Sequence, residues 1–212
     1  MKKAGTRDAM YSQFMQYSEV FVTGGTGLPG RYVCPALIAR GFLPRLFVRP
    51  GSEGKIPPDV RDRCRVTTGD LTVRESVEMG VQGTFAIVHL AAAWKEQPRR
   101  GITFEEAHVH ATANVVHAAS AWRVTHLIFV GVEGSHPGAP HPFLDARRRA
   151  EALVRGSGLP WTVFRIAPWY DLRNGKPRLT VEELTELAAA IAGSVNRPDT
   201  FGRVNEAASS PA

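Results

Sequence analysis

Apolar positions fall along this chain in two alternating rhythms. Short unbroken runs near 19–23, 44–48, 64–67, 84–89, 126–132 and 161–166 are rich in Val, Ile, Leu and Phe. Runs of that kind, with no polar alternation, fit strands of a parallel sheet covered on both faces. Between them lie stretches with helical spacing, near 30–40, 73–80, 103–121 and 143–156. The clearest is 103–121, where Ala107, Ala111, Val115 and Ala118 recur at intervals of three and four. Further on, Thr180 followed by Glu183 has the form of a capping box, and the apolar run behind it predicts a helix to Ala192 that stops at Gly193. Strands alternating with helices predict an α/β fold, a doubly wound parallel sheet with helices on both faces. Residues 1–18 read as a flexible extension, 19–172 as the main domain, and 173–212 as a short C-terminal helix with a frayed tail after Phe201.

The first strand runs straight into VFVTGGTGLPG at residues 20–30, with Gly24, Gly27 and Gly30 at GxxGxxG spacing and a helical stretch directly behind. A strand, a tight glycine turn and a helix start together form a dinucleotide-phosphate site of the Rossmann kind. Without a Cβ the backbone approaches the pyrophosphate closely, and the helix N-terminus offers free N–H groups. Glycine triplets alone are weak evidence, since turns collect glycine for backbone reasons. The strand–turn–helix context carries the reading.

Composition narrows the picture further. The net charge of +6 comes from 26 Lys and Arg against 20 Asp and Glu, scattered apart from Arg147-Arg148-Arg149. There is no basic stripe with interleaved aromatics, so an anionic cofactor is expected and nucleic acid is not. No apolar run approaches the roughly 18 residues that span a bilayer. The basic start lacks an apolar stretch after it and does not read as a secretory signal. Cys34 and Cys64 read as small buried hydrophobes in a reducing, cytoplasmic compartment. His108, His110 and His117 share one predicted helix, but His110 and His117 stand about two turns, or roughly 10 Å, apart. No metal site is expected from that spacing.

Several landmarks occur in order: TGGTGLPG at 23–30, VRP at 48–50, GDL at 69–71, HLAAA at 89–93, TFEE from 103 leading to TANVVHAA at 112–119, and SGLPWTVFR at 157–165. Over roughly residues 19–172 the chain resembles the atypical or extended short-chain dehydrogenase/reductases, the NAD(P)-binding epimerase/dehydratase kind. In style it is similar to NmrA-like proteins and to the Rossmann-type accessory subunit of respiratory complex I. The resemblance implies that Gly24, Gly27 and Gly30 hold the pyrophosphate, with backbone contacts from Thr26 and Leu28. It places Asp70 and Leu71 beside the adenine, and Ala91 and Ala92 where the cofactor passes the end of the fourth strand. Pro29 removes one N–H from the turn, although proline suits a helix start. After the second strand stands Arg49, with no acid until Glu53. Arginine there suits the 2′-phosphate of NADP, whereas an acid would bind the ribose hydroxyl of NAD, so NADP(H) is expected over NAD(H).

Similar enzymes use a tyrosine as general acid/base, a lysine four residues later that lowers its pKa and binds the nicotinamide ribose, and a serine after the fifth strand. Here Phe143 falls at the tyrosine position, Arg147 at the lysine position and Glu133 at the serine position. Phenylalanine has no proton to give, and arginine presents a fixed cationic fork. Arg147 is still expected beside the cofactor. Tyr170, Glu133, Ser135 and His136 are the remaining side chains near the substrate side, each with an ordinary cleft-wall or loop reading. The expected function is a cofactor-sensing, regulatory or assembly protein with a degenerate triad. The alternatives are an NADPH-dependent oxidoreductase acting on a carbonyl or quinone-like acceptor, and a scaffold without cofactor. Long helices of this kind pair across two-fold axes in similar proteins, so a homodimer or a protein partner is the expected association.

Overall fold

The computed structural model describes residues 19–139, 141–168 and 178–206. The extension at 1–18, the boundary at 172 and the end of the tail at 207–212 lie outside them.

The strands are β1 (Glu19–Thr23), β2 (Leu43–Val48), β3 (Arg65–Thr68), β4 (Ala86–His89), β5 (His126–Val132), β6 (Trp161–Ile166) and β7 (Arg203–Glu206). They form one sheet in the order β3-β2-β1-β4-β5-β6-β7, with every neighbouring pair parallel. Every residue of β1, β4 and β5 is buried, which is why these segments read as continuous apolar runs. The margins β3 and β7 are mostly exposed and correspondingly polar.

The helices are α1 (Gly30–Ala39), α2 (Pro58–Arg61), α3 (Arg74–Val81), α4 (Ala111–Ala121), α5 (Pro142–Arg155) and α6 (Val181–Ser194). Helices α1 and α6 pack together, while α3, α4 and α5 pack in sequence with one another. One core joins Val22, Val33, Leu37, Val88, Val130, Leu187 and Ile191; the other joins Phe21, Val77, Ile87, Val115, Ala118, Phe129 and Val154. Val20 and Val22 thus serve one face of β1 and Phe21 the other, as strand alternation requires.

Three elements differ from the sequence reading. The helix expected over 103–121 begins as a π-helical turn, Glu105–His110, before becoming α-helical. The expected capping box is formed, with Thr180 Oγ1 accepting from the Glu183 amide at 3.1 Å and Glu183 Oε2 accepting from the Thr180 amide at 2.7 Å. Its helix extends to Ser194, past the expected stop at Gly193. The stretch expected to fray after Phe201 instead contributes β7, paired in register Val163↔Val204 with β6. A four-residue segment with three polar positions carries too little periodicity to be recognised; the exposed edge of β6 is what orders it.

Candidate functional site

After β1, β2 and β3 step outward in one direction, the chain returns so that β4 lies on the other side of β1. That reversal opens a crevice above the C-terminal ends of β1 and β4, the place where doubly wound sheets bind ligands. The glycine turn closes it from one side. Gly24 has φ +71°, and a Cβ there would stand 2.7 Å from the Ala91 amide nitrogen. At Gly30 a Cβ would meet Gly24 O and the backbone of Gly25 at 2.5 Å. Only glycine lets the turn fold this tightly onto β4 and onto itself.

Gly27 differs from both. It is exposed, and a Cβ there would meet a single atom, Gly24 O at 3.1 Å. The Gly27 amide closes the turn by donating to Gly24 O at 2.9 Å. Among the described residues no backbone carbonyl takes up the amides of Thr26 or Leu28. Pro29 caps α1 in helical conformation and supplies no N–H. A turn with open space at its middle glycine and amides left over at a helix start fits a diphosphate.

The residues expected along the rest of the cleft sit at neighbouring strand ends. Arg49 is exposed just after β2, in a turn closed by Ser52 N–H donating to its carbonyl at 2.9 Å. Asp70 follows β3, where its Oδ1 accepts from the Thr72 amide at 2.9 Å and hydroxyl at 2.8 Å. Asn114 of α4 reaches across to donate to Leu71 O at 2.9 Å, so α4 fixes the Asp70–Leu71 loop. Ala91 and Ala92, both half-buried, follow β4.

Beneath them lies a buried polar group that sequence reasoning did not assemble. Thr23 and His89 are partners in the β1–β4 register. The Ala91 amide donates to Thr23 Oγ1 at 3.2 Å, and the Thr23 hydroxyl is hydrogen-bonded to His89 Nδ1 at 2.6 Å. His89 Nε2 is hydrogen-bonded in turn to Thr112 Oγ1 at 3.0 Å. Burial, with further repulsion from Arg147 and His108, pushes His89 down to about 3, so the ring is neutral. His108, on the π-helical turn, donates from Nε2 to Ala93 O at 2.9 Å, and burial followed by Arg147 pushes it too down to about 3. No sequence signal identifies these contacts, because register and a helical irregularity create them.

Arg147 occupies the middle of this group and is completely buried. Its Nη1 reaches Ala91 O at 3.3 Å and His108 Nδ1 at 3.4 Å, its Nη2 donates to Val130 O, and its Cζ stands 4.6 Å above the Phe129 ring. Its Nε has no hydrogen-bond partner among the described residues. Burial pushes the guanidinium down to about 9, partly offset by Glu151, and it stays protonated at neutral pH. Glu151, one turn further along α5, is itself held by Arg165 at 2.6 Å. Among the described residues no carboxylate forms an ion pair with Arg147.

Phe143, 2% exposed, seals the group with its ring edge-on to His108 at 5.3 Å and to Phe104 at 5.7 Å. Phe143 and Arg147 are therefore together, as their spacing on one helix predicts. Glu133 stands apart from them in its electrostatics. Burial raises its pKa first, Glu206 and Glu183 raise it further, and Arg178 lowers it. Those neighbours belong to β7 and to the start of α6. Ser135 Oγ is buried without a hydrogen-bond partner, and His136 is exposed. Tyr170 lies outside the described residues.

Comparison with known proteins agrees with this geometry. The chain is 31% identical over 164 residues to a 4-hydroxy-2-methyl-3-oxo-4-farnesyl-3,4-dihydroquinoline-1-oxide ketoreductase from Stigmatella aurantiaca, covering 68% of this chain and 48% of that protein. It is 24% identical over 152 residues to the photosystem II assembly factor Ycf39 of Trieres chinensis, covering 72% and 46%. The chain thus spans about half the length of these curated relatives. A Rossmann-fold NAD(P)-binding family protein from Shigella flexneri has the same fold, with a TM-score of 0.68 at 21% identity, covering 92% of this chain and 98% of that one. None of the described helices is long and apolar enough to cross a membrane. Residues 24–200, most of the chain, match the family described as NAD(P)H-binding. The chain belongs to that NAD(P)H-binding family.

Proposed function

We propose that this chain binds NADP(H) in the glycine cleft and uses the bound state to regulate or assemble a partner, without the turnover of its enzyme relatives. The observation that carries this reading is the pair Phe143 and Arg147. Both are buried, at the positions where the resemblance expects a tyrosine and a lysine, and the Arg147 terminal nitrogens are committed to Ala91 O, His108 and Val130 O. A phenyl ring transfers no proton, and a guanidinium does not serve as a base. His89 and His108 are neutral, enclosed and engaged in hydrogen bonds at both ring nitrogens.

When bound, the nicotinamide supplies a site that gives or takes a hydride. In this reading Gly24, Thr26, Gly27, Leu28 and Gly30 hold the pyrophosphate, Arg49 the 2′-phosphate, and Asp70 and Leu71 the adenine. Ala91 and Ala92 give way at the end of β4, and Arg147 lies beneath them. The likeness to an assembly factor, Ycf39, fits a regulatory role. The likeness to a ketoreductase favours the second reading, an NADPH-dependent oxidoreductase acting on a carbonyl or quinone-like acceptor whose proton comes from solvent.

Calorimetric titration with NADPH, NADP⁺, NADH and NAD⁺ is the test, repeated on Gly27→Trp. The expected result is micromolar binding of the phosphorylated pair that is lost in the variant, with no consumption of NADPH in the presence of carbonyl or quinone acceptors. Sustained turnover establishes the oxidoreductase instead. No binding of any form leaves a scaffold.

A further inference from the structure

The charge on Arg147 is unusual in having no ion-pair partner among the described residues: Glu151, which offsets its burial in part, is already held by Arg165. Arg147 is completely buried, and its Nε has no partner among the described residues. Its contacts are dipoles: two backbone carbonyls, a neutral imidazole and the face of Phe129. A buried cation held only by dipoles projects a positive potential into the nearest solvent-filled space, because little intervening water screens it.

That space is the cleft. The guanidinium rests on the carbonyl of Ala91, whose amide stands 2.7 Å from the position a Cβ on Gly24 would take. The adenosine half of a dinucleotide in this fold lies over the strand that follows the glycine turn, toward β2 and β3. The nicotinamide half therefore lies over β4 and β5, the two strands whose backbone Arg147 holds.

We infer that Arg147 acts through its field as a selector of redox state, so that this cleft binds the reduced dinucleotide more tightly than the oxidised one. The inference rests on the NADP(H)-binding reading above. Its chemistry is simple. The oxidised nicotinamide ring is a cation, while the reduced ring is a neutral dihydropyridine, so the reduced dinucleotide carries one more net negative charge. A fixed positive charge under that ring disfavours the cation. Phe143 packs against His108 on the covered side of the group, and the neutral His89 and His108 add no charge of their own. Arg147 touches no solvent, so its action is electrostatic positioning and not contact.

The test compares dissociation constants for NADPH and NADP⁺ on the intact chain, on Arg147→Met and on Arg147→Lys, with circular dichroism and thermal melts to confirm folding. We expect NADPH to bind about tenfold more tightly to the native chain, the order expected for one unit charge across a partly desolvated cleft. The ratio should fall toward unity in Arg147→Met and persist in Arg147→Lys. Equal affinities for the two forms, or a preference that survives in Arg147→Met, overturns the inference.

If the variants do not fold, the native chain decides alone. Its affinity for 2′-phospho-ADP-ribose, which lacks the nicotinamide, is compared with that for NADP⁺. Tighter binding of the truncated compound, despite its fewer contacts, supports repulsion of the ring; NADP⁺ binding as tightly as NADPH to the native chain refutes it. Failure of every dinucleotide to bind sinks the cofactor reading itself, a result distinct from binding without redox preference.

Discussion

Two buried imidazole clusters lie at opposite ends of the same sheet. At the N-terminal end of β5, His126 donates from Nε2 to Thr162 Oγ1 at 2.9 Å, and its Nδ1 accepts the Asn196 amide at 3.2 Å. Thr162 passes the chain on by donating to Thr200 O at 2.8 Å, and Phe201 covers the ring at 4.6 Å. Each polar atom of that imidazole has its partner, and no charge is enclosed. At the C-terminal end, His89 and His108 are equally well bonded, but beside them lies a guanidinium with no ion-pair partner and one unpartnered nitrogen among the described residues. Burying an unpaired charge costs several kcal/mol. The closed cluster ties β5, β6 and the approach to β7 together. The open one tolerates an electrostatic defect beside the cleft, and such defects mark sites built for binding.

The largest effect should come from the turn that shapes the cleft end. Gly30→Ala forces a methyl group into Gly24 O and the Gly25 backbone, and should cost more than about 3 kcal/mol in urea unfolding while abolishing dinucleotide binding. A variant with native stability would show the turn to be looser than its geometry implies.

At the closed end, His126→Ala should cost about 2–3 kcal/mol and leave dinucleotide affinity unchanged. Altered affinity would mean that the two clusters communicate. The same residue predicts an acid limb. Burial lowers the His126 pKa from 6.5 to about 4. The unfolded ring therefore takes up a proton first as the pH falls. The stability due to the neutral ring is complete above pH 6.5 and is lost as pH falls through about 4. Urea midpoints measured across that window should fall less steeply for His126→Ala than for the native chain. An identical slope would assign the acid sensitivity to other groups.

Thr112→Val removes the hydroxyl bonded to His89 Nε2 while keeping its shape, and should cost about 1–2 kcal/mol at the open end. A loss much below this would mean that water replaces the hydroxyl there. The smallest effect belongs to Asp145→Asn, on the same helix as Arg147. Its pair with Arg148 at 2.8 Å is partly exposed to solvent and should be worth less than about 0.5 kcal/mol by thermal melt. A larger loss would blur the contrast between charges that water screens and the one it does not.

The glycine turn and most of the alternation of elements were legible in the chain because they are local. Gly24, Gly27 and Gly30 answer to backbone conformation and close approach, and VFVT answers to burial on both faces. The relation of Phe143 to Arg147 was equally legible, since four residues on a helix fix it. The electrostatic neighbours of Glu133 were not, nor was β7, which exists because β6 presents an unpaired edge.

The sequence by itself determined the fold class, the glycine turn after the first strand, and the placing of a phenylalanine and an arginine one turn apart on a single helix. Only the tertiary structure decided what surrounds that arginine. Strand register set Thr23 against His89, the π-helical turn carried His108 to Ala93 O, and packing closed Phe143 over them. The charge of a side chain is written in the sequence. Whether water, a carboxylate or nothing at all balances it depends on residues brought together from β1, β4, β5 and two helices, and no local pattern records that.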